Sequence, residues 1–172
     1  RVSSLTANLY REPDVTKHAP VLTLPFDTSV EVVPQPPPEN ADYLHIRLLD
    51  GHDAWIDRAE LDLNPHTLNI QESIQLAKRF LGVTYTWGGR SSFGFDCSGF
   101  TQMILRSRGI AMPRDADQQA AWKGADVVDR KHLRPGDLLF FGSSADRITH
   151  TGMFIGKGEF IHDTTYGRPG VK

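Results

Sequence analysis

The sequence has few of the features that assign a protein to a class by themselves. Its 172 residues include a single cysteine, Cys97, which cannot form an internal disulfide, so the cysteine count does not identify the redox compartment. No apolar run approaches the roughly 20 residues of a spanning helix, so we expect no membrane span in this segment. The formal charge of −2 and the isoelectric point near 6.4 give no electrostatic reason to expect nucleic acid as a partner.

The residues that are present have an ordinary globular composition. Hydrophobic residues make up 39% of the chain and charged residues 23%, with 15 glycines and 11 prolines. A chain of this length can bury one medium-sized core or two small ones. It begins at Arg1 rather than at a methionine, so we expect that a leader or an earlier domain precedes it.

The first sixty-odd residues alternate in the manner of short strands separated by turns. Asp50-Gly51 is a hairpin-turn signal, and the whole pattern predicts a small antiparallel barrel or sandwich. A proline cluster, Pro34 with Pro36 to Pro38, is either a stiff loop or a ligand for an aromatic groove on a partner, and we favour the loop. The predicted strand segments are VSSLTANLY, APVLTLP, SVEVVP, DYLHIRLLD and AWIDRAEL.

The character of the sequence changes near Asn64-Pro65, which divides it into domains at 1–64 and 65–172. In the second domain, predicted helices precede a predicted antiparallel sheet, which is an α+β arrangement. The predicted helices span 70–81, 98–108 and 115–122, and the predicted strands are DLLFF, HTGMFIG and EFIHD.

Capping signals mark two of these helices. Asn69 and Glu72 fit a capping box for the first helix, and Asp115 and Gln118 fit one for the third. Glycines after the first two helices can terminate them. The predicted buried face of the first helix consists of Ile70, Ile74, Ala77 and Leu81.

Cys97 stands where the second helix begins, with Asp96 before it as a capping residue. A thiol at a helix N-terminus faces unpaired N–H groups, which favour a thiolate and can stabilise an oxyanion. Gly94 and Gly99 leave room for a substrate to approach. The alternative is a small buried hydrophobic residue, which is the usual role of a free cysteine.

A nucleophilic cysteine needs a base and a group that orients the base. His150 and His162 lie on strands joined by a hairpin near Lys157, so their imidazoles can be neighbours. They are otherwise a pair of half-buried sheet histidines. Zinc bound by Cys97 and the two histidines is disfavoured because the sequence has no CxxC or HExxH spacing. We expect neither a metal nor another cofactor.

Six ordered segments over about 95 residues resemble the NlpC/P60 family of bacterial cell-wall cysteine peptidases. The residues before them are similar to a bacterial SH3 domain, which commonly precedes this catalytic domain. The six segments are GVTYTWGG, FDCSGF, PRDADQQ, LRPGDLLFF, ITHTGMFIG and FIHD.

The resemblance implies a papain-like α+β catalytic domain preceded by a small all-β SH3-like barrel. It makes Cys97 the nucleophile, His150 the base and His162 the residue that orients His150. Tyr85 matches a tyrosine that lines the active site. After FIHD the family usually continues for another strand or more, whereas this chain stops at Lys172.

The resemblance also implies a substrate, the γ-D-glutamyl-diamino acid bond of peptidoglycan stem peptides. Arg114 and Asp115 match the motif of a subgroup that requires a free N-terminal L-alanine, and Asp115 could pair with the ammonium group. Ala116 stands where that subgroup often has serine, which puts one hydrogen bond in doubt. The remaining predicted substrate-binding residues are Trp87, Asp96 and Ser98.

The function that follows is cell-wall degradation or muropeptide recycling by a thiol protease through an acyl-enzyme. The partner is peptidoglycan or a muropeptide, the protein is expected to be a monomer, and the cell envelope, periplasm or exterior is favoured over the cytoplasm. The alternatives are a related Cys-His amidase or acyltransferase and a non-catalytic wall-binding protein. Retention of Cys97, His150 and His162 together disfavours the last of these.

Overall fold

A computed structural model of the protein describes residues 1–34 and 42–172. These residues form two compact units, Arg1–Pro65 and His66–Lys172. Pro36 to Pro38, for which a stiff loop was predicted, lie outside the described residues.

The first unit is a five-stranded antiparallel sheet with the strand order β2-β1-β5-β4-β3. Buried residues alternate with more exposed ones along β1 and β5, as expected of strands with one face on a core. Four of the predicted strand segments each contain a strand and the fifth, AWIDRAEL, overlaps one, so the β character of this region is confirmed. The strands are β1 Thr6–Tyr10, β2 Leu22–Pro25, β3 Glu31–Val32, β4 Tyr43–Arg47 and β5 Asp53–Asp57. The core consists of Val2, Ala7, Leu9, Ile46, Ala54, Ile56 and Leu61.

The second unit has its helices before its main sheet, as predicted. That sheet is antiparallel with the order β10-β9-β8, and two short two-stranded ladders lie outside it. The helices are α1 Ile70–Arg79, α2 Cys97–Ser107 and α3 Ala116–Ala120. The strands are β6 Arg90–Ser91, β7 Gly94–Phe95, β8 Leu138–Ser144, β9 Arg147–Gly156, β10 Glu159–Ile161, β11 Asp163–Thr164 and β12 Gly170–Val171.

Helix α1 begins with the predicted capping box, since both hydrogen bonds between Asn69 and Glu72 are present. The predicted buried face is wrong at its two ends. Ile70 is 40% exposed, and Leu81 is 54% exposed because the helix ends at Arg79 and Leu81 follows in a turn. Phe80 takes the place of Leu81 in the core, where its ring makes edge contacts with other buried phenylalanines.

Helix α2 ends in a Schellman motif. The N–H of Gly109 donates to the carbonyl of Arg106, and the N–H of Ile110 donates to the carbonyl of Leu105. Gly109 has φ +74°, which a residue with a side chain rarely adopts. The predicted terminator is therefore confirmed.

Helix α3 is shorter than predicted, and its predicted capping box is wrong. Asp115 holds the N-cap position, but its side chain makes no capping hydrogen bond. The helix is held from inside by Gln119, whose amide nitrogen donates to the carbonyl oxygens of Ser98 and Pro113. The Asp115 carboxylate, which is exposed, is therefore not used by the helix.

A β-bulge decides which side chains share a face of the main sheet. The hairpin between β9 and β10 turns at Lys157 and Gly158, both with positive φ, as in a type I′ turn. Glu159 pairs with Gly156, but Phe160 pairs with Phe154, so the register shifts by one residue. A one-residue shift moves every later side chain of the strand to the opposite face.

Candidate active site

Cys97 is the first residue of α2 and is 8% exposed. The Asp96 carboxylate caps the helix, with Oδ1 accepting from the N–H of Gly99 at 2.7 Å. The backbone N–H of Thr151, on β9, donates toward the Cys97 thiol. The fold therefore brings the thiol against the strand segment that also carries His150.

The protonation of this thiol differs from the expectation drawn from its position. Burial raises the pKa of the Cys97 thiol, and the charge of Asp96 acts in the same direction. The N–H groups of Thr151, Ser98 and Cys97 oppose this shift without reversing it. The thiol of the free protein is therefore protonated near neutral pH, and it needs a base at the moment of attack.

Asp96 is held by charge as well as by the helix. Arg114 contacts it with both terminal nitrogens, at 2.6 Å to Oδ2 and 2.9 Å to Oδ1. The same guanidinium donates to Ser98 Oγ at 2.9 Å, and the N–H of Gly88 donates to Asp96 Oδ2. Burial acts to raise the pKa of Asp96, but the hydrogen bonds from Arg114 and Gly99 hold it below its usual range.

Asp96, Ser98 and Arg114 thus form one network, here called the helix-end network. Their polar groups are bonded mainly to one another, so what this network does directly is fix the first turn of α2. Contact of these residues with substrate stays a prediction.

Gly99 gives no room to a substrate, contrary to expectation. A Cβ atom there would lie 2.1 Å from the carbonyl oxygen of Gly89. Gly94 is used in the same way, because a Cβ atom there would lie 2.2 Å from the Thr86 hydroxyl. Both glycines allow the loop before the cysteine to pack closely on itself and on the start of α2.

His150 and His162 are joined by a hydrogen bond of 2.7 Å between Nε2 of His150 and Nδ1 of His162. The bulge makes this pairing possible. Without the register shift His162 would stand across from Met153, which faces away from His150; with it, Ile161 pairs with Met153 and His162 falls across from Gly152. The prediction that the two imidazoles are neighbours is confirmed.

Both imidazoles are neutral at neutral pH. Burial lowers the pKa of His150. Burial, followed by the charges of His150 and Lys172, lowers the pKa of His162 to about 4. When Nε2 of His150 donates to His162, the other ring nitrogen of His150, Nδ1, is left to accept a proton.

Tyr85, Trp87 and Asp115 have different surroundings. Tyr85 is half-buried and bridges to Phe95; burial, then the charges of Cys97 and Asp96, raise the pKa of its phenol, which stays protonated. Trp87 is 87% exposed, so it is not a core residue. A substrate role for all three stays a prediction.

Asp163 was missed by the sequence analysis. It is fully buried, and within the described part of the chain neither carboxylate oxygen has a hydrogen-bond partner. Burial raises its pKa to about 7, and the charge of Asp96 acts in the same direction. An aspartate beside a strand histidine carries no sequence signal of burial, so only the structure could reveal it.

Within its described residues the protein has neither a metal-ion cluster nor a membrane-spanning helix. Among residues 1–34 and 42–172, no group of three or more His, Cys, Asp or Glu side chains is arranged to hold a metal ion. No helix within those same ranges is both long enough and apolar enough to cross a membrane.

Over nearly its whole length the chain is similar to a Bacillus cereus peptidase and to a Bacillus cereus crystal structure. One is a gamma-D-glutamyl-L-lysine dipeptidyl-peptidase, 35% identical over 170 residues, which cover 94% of this chain and 48% of that protein. The other is a crystal structure of an NlpC/P60 family protein, with a TM-score of 0.82 and 32% identity over 99% of this chain and 55% of that one. This chain thus spans about half the length of these relatives.

The second unit has similarity of its own. The crystal structure of the NlpC/p60 domain of the peptidoglycan hydrolase SagA matches 61% of this chain and 87% of that domain, with a TM-score of 0.55 and 31% identity. Residues 82–171 match the NlpC/P60 family, and this range holds the thiol, the imidazole pair and the helix-end network. The chain belongs to the NlpC/P60 family.

Proposed function

We propose that the protein is a cysteine peptidase that hydrolyses the γ-D-glutamyl-diamino acid bond of peptidoglycan stem peptides. The observation that carries the proposal is a buried thiol at a helix N-terminus, bonded by the Thr151 N–H, with the adjacent His150 joined to His162. Similarity to a gamma-D-glutamyl-L-lysine dipeptidyl-peptidase supports the choice of bond.

In the proposed reaction the Cys97 sulfur attacks the γ-carbonyl carbon of D-glutamate while its proton passes to Nδ1 of His150. Backbone N–H groups at the start of α2, with the protonated Tyr85 hydroxyl, stabilise the oxyanion. The C–N bond then breaks, and the amine of the diamino acid leaves with the proton held by His150. Water, deprotonated by the same imidazole, hydrolyses the thioester and restores the thiol.

His162 would keep His150 in the required tautomer. Nδ1 of the neutral His162 has a lone pair that accepts the N–H of His150 Nε2. Because the proton of the neutral His150 ring is then on Nε2, Nδ1 of His150 stays unprotonated until the thiol attacks. When His150 becomes an imidazolium, the same hydrogen bond becomes charge-assisted and strengthens. The orienting group thus acts most strongly on the charged intermediate.

We further propose that Asp115 binds the ammonium group of an unblocked L-alanine. Its carboxylate is exposed and makes no helix-capping bond, and the adjacent Arg114 is committed to Asp96. Ala116 supplies no hydroxyl beside it, so the carboxylate is the main attractive group in this proposal. If the bound amine is buried, Asp115→Asn should lower kcat/KM on a free tripeptide about thirtyfold, which corresponds to about 2 kcal/mol.

The first unit is proposed to be an SH3-like module, and the protein to act at the bacterial cell envelope on peptidoglycan or released muropeptides. The support is the five-stranded antiparallel sheet and the similarity of nearly the whole chain to about half of each B. cereus relative. A pull-down of the protein with purified peptidoglycan sacculi tests this part separately from catalysis.

The decisive experiment is mass spectrometry of products from defined muropeptides. L-Ala-γ-D-Glu-diamino acid should yield L-Ala-D-Glu and the free diamino acid, whereas the N-acetylated tripeptide should be cut slowly. Equal cleavage of both would remove the role given to Asp115. Cleavage at an N-acetylmuramoyl amide, or transfer of the acyl group to an added amine in preference to water, would indicate an amidase or acyltransferase. No turnover in the wild-type chain with intact binding to sacculi would indicate a wall-binding protein.

A further inference from the structure

The two imidazoles and two phenylalanine rings form a closed cycle of four contacts. The centroid distances are 5.8 Å from Phe141 to His150, 4.9 Å from His150 to His162, 4.8 Å from His162 to Phe160 and 5.4 Å from Phe160 back to Phe141. Each imidazole therefore has one phenylalanine neighbour as well as the other imidazole. We call Phe141, His150, His162 and Phe160 the four-ring cluster.

The sheet register assembles this cluster from three strands. Phe141 on β8 stands directly across from His150 on β9, so their side chains share a face. After the bulge, Phe160 on β10 stands across from Phe154, which lies on the same face as His150. His162, two residues after Phe160, follows it on that face.

Gly152 supplies the space for this arrangement. A Cβ atom at Gly152 would lie 2.9 Å from Cβ of His162 and 2.9 Å from Cδ2 of Phe160, which is closer than real side-chain contacts allow. Its φ lies outside the left-handed region, so an alanine there would be excluded by contact and not by backbone strain. The missing side chain thus lets both rings rest on the strand that carries His150.

Charged groups account for only a small part of the lowered pKa values of the two histidines. Besides the other imidazole, the charged group that acts on the pair is Lys172, beyond β12, and it acts on His162. The Lys172 ammonium is itself held by the Tyr166 carbonyl. Burial is the first cause for both histidines, and the two phenylalanine rings supply apolar surface against them.

We propose that Phe141 and Phe160, seated over Gly152, are positioning residues that hold the two imidazoles in contact and keep water from them. They touch neither substrate nor reacting atoms in this role; they act through the histidines. The inference rests on the proposed function only for its catalytic meaning, since the protonation of the imidazoles can be measured without a substrate.

The test is an NMR titration of the ¹⁵N-labelled full chain that follows the ring nitrogens of both histidines. Phe141→Leu and Phe160→Leu should raise the midpoints of His150 and His162 by about one pH unit, because water reaches the charged forms. Gly152→Ala should raise them as well and should separate the two rings, which the loss of the nuclear Overhauser effect between them would report.

Two controls keep the result specific. Phe93→Leu makes the same chemical change at an exposed residue outside the four-ring cluster, and Phe141→Tyr keeps the ring. Both should leave the two midpoints where the wild type has them. A circular-dichroism spectrum of each variant identifies any that does not fold, and Phe141, on the partly exposed side of the cluster, provides the variant expected to fold.

The outcomes separate this inference from the proposed function. Shifted midpoints in the leucine variants but not in the controls support the positioning role, whatever the wild-type protein hydrolyses. Midpoints that are equal in all folded variants would overturn it, even if the muropeptide is cut. Where activity is present, the acid limb of the kcat/KM profile should move upward by the same amount as the NMR midpoints.

Discussion

The candidate active site is made of two polar regions that are held in different ways. In the helix-end network, a charged carboxylate is saturated by the Arg114 guanidinium and by backbone N–H groups of Gly88 and Gly99. In the four-ring cluster, two neutral imidazoles share one hydrogen bond and are otherwise packed against phenylalanine rings. The first region keeps one charge state, whereas the proposed reaction requires the second to gain and lose a proton. A saturated ionic network suits a fixed support, and a sparsely bonded neutral pair suits a group that must change its charge.

The largest expected effect lies in the four-ring cluster. His150→Ala removes the proposed base and should lower kcat by about a thousandfold or more. His162→Gln keeps a carbonyl oxygen that can accept from Nε2 of His150, so it should cost only about ten- to a hundredfold. Steady-state kinetics on the tripeptide measure both. Equally mild losses in the two variants would mean that another residue is the base.

The next effect concerns the stability of the helix-end network. Arg114→Ala leaves the buried Asp96 carboxylate without its cation and should lower the free energy of unfolding by about 3 kcal/mol. Arg114→Lys should recover part of this loss, since an ammonium cannot reproduce the two-nitrogen contact. Urea unfolding gives the values. Arg147→Ala, at an exposed arginine, is the matched control and should change stability little. A loss at Arg114 no larger than at Arg147 would contradict the supporting role of the network.

A smaller effect is expected from Asp163, the buried carboxyl with a pKa of about 7 against an ordinary 3.8. Because the folded protein binds this proton more tightly, the stabilisation is present below pH 3.8 and is lost as the pH rises through about 7. Asp163→Asn removes the titratable carboxyl, so the variant does not lose this stability as the pH rises. Its free energy of unfolding relative to that of the wild type should therefore increase by about 2 kcal/mol between pH 5 and pH 8.

His162 contributes a pH dependence of the opposite sign to the stability of both wild type and Asp163→Asn. Subtracting the free energy of unfolding of one from that of the other cancels this contribution. The folded-state pKa of His162, about 4, is lower than the ordinary 6.5, so wild type and variant alike lose stability as the pH falls from 6.5 toward 4. Chemical denaturation at several pH values measures the difference. A difference that does not change with pH would show that Asp163 is ionised throughout.

The smallest expected effect lies where the two regions meet, at Cys97. The thiol of the free protein is neutral, so its alkylation by iodoacetamide should accelerate only through a pKa above the ordinary value of about 8.5. His150→Ala should leave this curve nearly unchanged. A plateau of fast alkylation below pH 7 that is lost in His150→Ala would instead show a thiolate–imidazolium pair in the resting protein.

Local sequence signals predicted those parts of the molecule that depend on neighbouring residues. The capping box of Asn69 and Glu72, the cap of Asp96 on α2 and the terminator Gly109 all act within a few residues, and all are present. The predictions that were wrong concern places where tertiary contacts override such local signals. Asp115 and Gln118 have the right spacing for a second capping box, but this box does not form. Helix α3 is instead held by hydrogen bonds from the buried Gln119 amide to the carbonyl oxygens of Ser98 and Pro113.

The sequence alone was enough to propose the candidate site, from one thiol at a helix start, two histidines near a hairpin and the ordered segments that resemble the NlpC/P60 family. How these groups meet and which charge they carry depends on the tertiary structure. The type I′ turn alone would place His162 on the wrong face, and a single-residue bulge corrects it. The pKa directions of Cys97, His150 and Asp163 follow first from burial, which depends on packing by residues distant along the chain.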